Sequence, residues 1–364
     1  MRKRIKLLCM ICMFVLLLPS VPVYAHEQQD NCIDPSVFDA INEALSFVEL
    51  DKASFGLSDV DFDYLDISNP VSVYEYTGNT LEKVREFYPI VYNGRVVATA
   101  GKVGEDNKYC IETYMANAID KIGCDEISVI YDSLHVYLYC KYGIFSVLDY
   151  GNVNDEIEKI SYLDVTETLP VVLTDISSTH SLCYSEYETN QYNRDFYYCA
   201  VSWVSQDPYL YLCWAATVAS IKNYLSGTSY TVEQIAMMFN SSTNVNDTPN
   251  SPSDTANKMQ YMLNLSYTYS ATQPGFTTIT NNISNNFPVY GCFFNTANSN
   301  MGHAGTVYAI SNTGGYIYVM DPKLGSVLAP WSTYDDGSGY HNYFMYSYGQ
   351  CGQMLLNAGI CHSW

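Results

Sequence analysis

The stretch Ser205-Gln206-Asp207-Pro208-Tyr209-Leu210-Tyr211-Leu212-Cys213-Trp214-Ala215-Ala216-Thr217 decides how this chain is read. It sets a glutamine shortly before a cysteine. That cysteine opens an apolar run at helical spacing, from Leu212 to Leu225, which stops at Gly227. A thiol is a useful nucleophile only as the thiolate, and the positive end of a helix dipole favours that charge. A glutamine amide and the cysteine's own backbone N–H are donors suited to a developing oxyanion. Taken singly, a cysteine at such a place is more often a core residue, so its meaning depends on what lies downstream.

Downstream, Gly302-His303-Ala304 enters a predicted strand over 303–310. The turn Asn312-Thr313-Gly314-Gly315 follows, then a strand over 316–320 closed by Asp321-Pro322. An imidazole can move the protons of an acyl transfer, and a carboxylate can hold that imidazole in position. Between these pieces, Thr231 caps a second helix with Gln234 as its capping-box partner. Ser251-Pro252 opens a third helix through about Leu265, and Thr277 to Asn286 gives a short fourth. Strands over 288–294 and 340–348 complete the pattern, with Cys292 read as a buried thiol. Residues 200–364 therefore predict an α+β domain, helices followed by an antiparallel sheet.

The preceding segment, 26–150, reads differently. Asp34-Pro35 starts a helix through about Leu50. Beyond it, 70–150 reads mostly as strands, with Asn93-Gly94 as a hairpin turn and apolar runs over 127–132, 134–141 and 143–149. Residues 151–199 carry few periodic cues and read as a linker, in which 190–194 is a candidate processing stretch. At the start, Arg2, Lys3, Arg4 and Lys6 precede an apolar core from Leu7 to Leu18, and Val23-Tyr24-Ala25 suits cleavage. Residues 1–25 are thus expected to be a signal peptide, with a retained N-terminal anchor as the alternative. No second stretch of eighteen apolar residues follows, so stable membrane insertion after signal removal is not expected.

The net charge is −21, and removal of the four basic signal residues leaves 13 Lys+Arg against 38 Asp+Glu. Residues 200–364 account for only −4 of this, with three lysines against seven carboxylates, so 26–199 is strongly acidic. No basic face is available to offset phosphate charge, which excludes nucleic acid as a partner. Ten cysteines remain after the signal, without the spacing of a small disulfide scaffold. Cys110, Cys124 and Cys140 lack neighbouring histidines, so neither a metal nor another cofactor is expected.

These residues resemble the papain-like cysteine peptidases, particularly compact bacterial ones of the staphopain and bacteriocin leader-peptidase kinds. Cys213-Trp214-Ala215 looks like the papain Cys-Trp-Ala, and Gly302-His303-Ala304 with Asp321-Pro322 looks like the leader-peptidase arrangement. The resemblance covers roughly 201–345. It implies a nucleophile in Cys213, a general base and acid in His303, an orienting carboxylate in Asp321 and an oxyanion donor in Gln206. Gln206 precedes Cys213 by seven residues, one more than is usual there, so the loop absorbs one residue.

The resemblance further implies a secreted endopeptidase acting on protein or peptide substrates. It would be made as a zymogen whose β-rich pro-region contacts the peptidase domain. Two other readings stay open from sequence: an acyl-transfer enzyme on the same fold, such as a transglutaminase or amidase, and a catalytically inactive surface binding module. His341 is the competitor to His303; His26, His135, His180 and His362 lie outside the pattern.

Overall fold

In the N-terminal helix α1 (Pro35–Leu50), the Asp34 carboxylate accepts the Ser36 N–H at 2.8 Å, and Pro35 occupies a first-turn position where no donor is missed. Its inner face buries Ile41, Ala44, Leu45, Phe47 and Val48. The computed structural model describes residues 33–77, 80–132, 135–149, 159–160, 172–181, 195–296, 302–335 and 337–363. The expected signal peptide, most of the 151–199 linker and its 190–194 stretch lie outside the described residues.

The strands that follow α1 are β1 (Asp66–Ser68), β2 (Val71–Tyr76), β3 (Leu81–Tyr92), β4 (Arg95–Val103) and β5 (Lys108–Glu112). Helix α2 (Tyr114–Ile122) comes next, then β6 (Glu126–Tyr131), β7 (His135–Cys140) and β8 (Gly143–Asp149). β3 and β4 form the hairpin expected at Asn93-Gly94, both of which take positive φ, 51° and 76°. Short strands β9 (Lys159–Ile160), β10 (Thr174–Asp175) and β11 (Thr179–Ser181) edge this array. β12 (Phe196–Tyr198) then pairs with residues Ala309, Ile310 and Ser311 of the C-terminal half.

The C-terminal half begins with three helices: α3 (Cys213–Ser226), α4 (Val232–Phe239) and α5 (Pro252–Leu263). α3 ends at Gly227 in the left-handed conformation. α4 has the capping box: Gln234 N–H donates to Thr231 Oγ1 at 3.3 Å and Thr231 N–H to Gln234 Oε1 at 2.9 Å. β13 (Tyr267–Ser270) and α6 (Phe276–Ser284) lead into six strands, β14 (Val289–Asn295), β15 (Gly302–Ser311), β16 (Tyr316–Asp321), β17 (Gly325–Asp335), β18 (Tyr340–Tyr348) and β19 (Gly352–His362). Each of the six pairs antiparallel with the next, and β19 returns to β14, closing a barrel. Closure leaves no free edge within the ring.

The helices pack on the outside of this barrel. Trp214, Val218, Ile221, Ile235, Phe239 and Met259 share a core with Tyr290, Ala304 and Ile360 from the strands. Full burial of such side chains is worth roughly 1.5–3 kcal/mol each. This layer fixes the N-terminus of α3 against β14 and β15. The residues from Asp34 onward form one compact unit, because β5 adds to the barrel strand β17 in the registers Val327↔Glu112 and Leu328↔Ile111. No described helix is long and apolar enough to cross a membrane.

Candidate active site

Cys213 stands at the first position of α3, after Leu212, and no side chain caps that terminus. Ala215 N–H and Ala216 N–H both donate to Leu212 O at 3.0 Å, and the positive end of the helix dipole stands at the Cys213 position. The loop leading in is tied down by one carboxylate: Asp247 accepts the N–H of Leu210 at 2.9 Å and of Tyr211 at 2.8 Å. From the next residue, Trp214 Nε1 donates to Thr248 O at 3.0 Å, pinning the same polar loop over the helix start.

His303 is the second residue of β15, and Asp321 is the last of β16. The hairpin between them brings His303 Nε2 to 2.9 Å from Asp321 Oδ2. The imidazole also interacts with the Cys213 side chain, and both line the cleft between helix and barrel. Asp321 is fully buried, and every lone-pair direction it uses is occupied. Lys323 N–H and Leu324 N–H donate to Oδ1 at 2.8 and 3.0 Å, while Tyr346 Oη donates to Oδ2 at 2.7 Å. Tyr348 sets its ring edge to face on His303, 5.3 Å between centroids.

The charges follow from these contacts. Burial disfavours a cationic imidazole at His303, but the charge of Asp321, its hydrogen bond and the contact with Cys213 outweigh it and push the pKa up to about 10. Burial likewise disfavours the Asp321 carboxylate, yet the His303 cation, Tyr346 and the Leu324 N–H hold its pKa below the usual value. Both partners thus favour an imidazolium–carboxylate pair.

The loop before Cys213 is joined to the turn after Asp321. Gln206 N–H donates to Pro322 O at 3.1 Å, and Lys323 Nζ lies 2.5 Å from Asp207 Oδ1. Trp203 Nε1 donates to Asp321 O at 2.9 Å. The Gln206 side chain lines the cleft, but its amide donates inward, to Tyr209 O at 3.0 Å and Leu210 O at 3.2 Å. Its Oε1 is buried without a partner.

The structure therefore brings Cys213, His303 and Asp321 into one chain of contacts. Gln206 stands beside them with its donors engaged in the loop. The cleft over these residues encloses about 470 Å³, and its lining includes the aromatic side chains Tyr209, Tyr211, Tyr269, Phe294 and Tyr348. His341 is exposed on β18 and does not line it. His135 pairs with Asp132, and His362 stacks on Phe287. Cys292 is buried in β14. Among the described residues, no group of three or more His, Cys, Asp or Glu side chains stands together as a metal site. Sequence reasoning missed Tyr346, Tyr348 and Asp247. Only Asp247 carried a local signal, as the lone carboxylate of a polar loop.

Residues 202–330 match the model of a family described as papain-like cysteine protease AvrRpt2. No curated protein matches the chain. The matched segment holds Gln206, Cys213, His303 and Asp321, and the match supports a papain-like cysteine peptidase, a cysteine-type hydrolase.

Proposed function

We propose that this protein is a secreted cysteine endopeptidase that hydrolyses peptide bonds through Cys213, His303 and Asp321. The observation that carries the reading is His303 held between the Cys213 thiol and the buried Asp321 carboxylate. The Cys213 sulfur attacks the substrate carbonyl carbon, and the C=O electrons move onto oxygen. The His303 imidazolium then protonates the departing amine, leaving a thioester on Cys213. Water adds to that thioester as His303 takes its proton, and the C–S bond breaks to release the acid and restore the starting pair. Asp321 keeps the imidazole in the plane both steps need and stabilises the cation when His303 holds the proton. The oxyanion is met by the N–H of Cys213 and by Gln206, whose amide turns from Leu210 O, the longer of its two acceptors.

Secretion rests on the basic and apolar pattern of residues 1–25, and synthesis as a zymogen on the long N-terminal segment with a candidate cut in 151–199. The size of the cleft, within the usual range of roughly 300–1,000 Å³ for ligand sites, suits a few residues of an extended peptide. Its aromatic lining favours apolar side chains next to the scissile bond.

The test uses residues 26–364 and their Cys213→Ala variant under reducing conditions, followed by intact mass with an unstructured protein substrate. The wild type is expected to cleave substrate and the variant to leave it intact. Cleavage by a folded Cys213→Ala protein would overturn the assignment. Transfer of the acyl group to an added amine in place of water would move the reading to a transferase.

A further inference from the structure

The last residues of β18 and the turn beyond it alternate between two duties. Tyr346 donates to Asp321 Oδ2, and Tyr348 packs edge-on against His303. The residues between and after them hold the N-terminal segment. Ser347 N–H meets Cys110 Sγ at 3.2 Å. Gly349, at φ 55°, sits tight against Leu148, whose Cδ2 lies 3.2 Å from where a Cβ would stand. Gln350 Nε2 donates to Thr99 Oγ1 at 2.9 Å and to Glu112 Oε1 at 3.2 Å, in a network whose members are all buried. Thr99 in turn donates to Glu112 Oε1 at 2.7 Å, and Met115 N–H to Oε2 at 3.0 Å.

The same joint continues along the barrel wall. Phe47 of α1, fully buried, packs its ring tilted against Tyr316 at 4.7 Å between centroids, and its backbone carbonyl accepts Tyr318 Oη at 2.6 Å. Its ring fills the space above Gly314, where any Cβ would fall 2.1 Å from Phe47 Cζ. Detaching this segment would open the β5–β17 ladder, strip Tyr316 and Tyr318 of cover and leave buried polar groups unpaired. A cover built for release carries none of these costs. Leu148 itself, 2 % exposed, lines the catalytic cleft next to Tyr348.

We infer that the N-terminal segment is a lasting part of the active site: through Gln350, Gly349 and Ser347 it positions the strand that bears Tyr346 and Tyr348, and it lends Leu148 to the cleft as a specificity-determining wall. This rests on the peptidase reading for what occupies the cleft, and it restricts the zymogen reading. A cut in 151–199 activates, if it does, without loss of the segment.

The test is made on residues 26–364. A site-specific protease sequence is inserted between 182 and 194, and the cut protein is passed over gel filtration without denaturant. Both pieces are expected to co-elute, with peptide hydrolysis and the rate of Cys213 alkylation by iodoacetamide within about twofold of the uncut chain. A C-terminal piece that elutes alone and hydrolyses peptides overturns the inference. Leu148→Trp is expected to change the ratio of kcat/KM between peptides differing in one side chain beside the scissile bond at least tenfold, with Cys213 alkylation unchanged. Ile144→Ala, in a separate small cluster, is expected to leave that ratio alone. An unaltered ratio in Leu148→Trp removes Leu148 from the cleft wall. If the uncut chain is alkylated at Cys213 but hydrolyses no peptide, the peptidase reading fails. The inferred joint is then judged by co-elution and alkylation alone.

Discussion

The phenol of Tyr346 donates to Asp321 Oδ2 at 2.7 Å, the same oxygen that lies 2.9 Å from His303 Nε2. Asp321 is thus positioned from three strands at once: its own, that of His303 and that of Tyr346. Tyr346→Phe removes the donor and keeps the ring, which packs at 5.1 Å on Phe293. A hydrogen bond to a buried charge is worth about 1.5–3 kcal/mol, so Tm should fall measurably. If about half of that loss also falls on the transition state, kcat drops on the order of tenfold. KM should hold, since the phenol does not line the cleft. Unchanged kcat and Tm together would reduce Tyr346 to packing.

The pH dependence follows from the same pair. The folded pKa of His303 is raised from 6.5 to about 10, so the stability it contributes is fully present below 6.5 and is lost as pH rises through about 10. Asp321 is lowered from 3.8, so its share is present above 3.8 and is lost as pH falls through its lower folded value. Catalysis by the imidazolium form should show an alkaline limb near pH 10 in kcat/KM, where the proton for the departing amine is lost. A limb near the ordinary imidazole value would mean that the ion pair does not form.

What was legible in the sequence is what is decided locally. The Asn93-Gly94 turn, the Thr231–Gln234 capping box and the arrest of α3 at Gly227 are each set by a few neighbouring residues, and each stands in the structure. The order of Cys213, His303 and Asp321 was legible as well, and the β15–β16 hairpin sets His303 beside Asp321, but the approach of Cys213 comes from the packing of α3 on β14 and β15, which no local window contains. β17 and β19 escaped because Pro330, Gly352 and Gly359 interrupt their alternation. α2 escaped because it spans only nine residues between strands and Thr113 makes no side-chain cap. Tyr346 could not be singled out among 35 tyrosines, since its role depends on a carboxylate 25 residues away. The joint through Phe47, Glu112 and Gln350 was hidden for the same reason: its partners are more than two hundred residues apart.

Gln206 has a double burden, because its amide both closes the loop onto Tyr209 O and Leu210 O and stands at the cleft. Loss of an oxyanion donor costs about 10²–10³ in kcat. Gln206→Ala should therefore lower kcat by that order, with a smaller change in KM. The alkylation rate of Cys213 separates the two burdens. Alkylation forms no oxyanion, so it should stay within a few-fold if the donor role dominates, and fall with kcat if the loop has collapsed. Wild-type kcat in Gln206→Ala would leave oxyanion binding to the helix N-terminus.

Asp247 decides whether the loop before Cys213 is built or merely tolerated. Its carboxylate takes both the Leu210 and the Tyr211 N–H, at 2.9 and 2.8 Å, and the neighbouring Thr248 carbonyl takes the Trp214 indole. Asn keeps one acceptor oxygen and turns an N–H toward the second donor, whereas Ala keeps neither. Tyr211 is half exposed, so water meets part of that deficit, and the stability cost of Ala should be only about 1–2 kcal/mol. The catalytic cost should be larger, because a shift of about 1 Å at reacting groups is worth on the order of 10²-fold. Peptide kcat/KM should therefore descend from wild type to Asp247→Asn to Asp247→Ala, with Cys213 alkylation following the same order. An Ala variant that alkylates and turns over like the wild type would show that α3 alone, through its packing on β14 and β15, holds Cys213 in place.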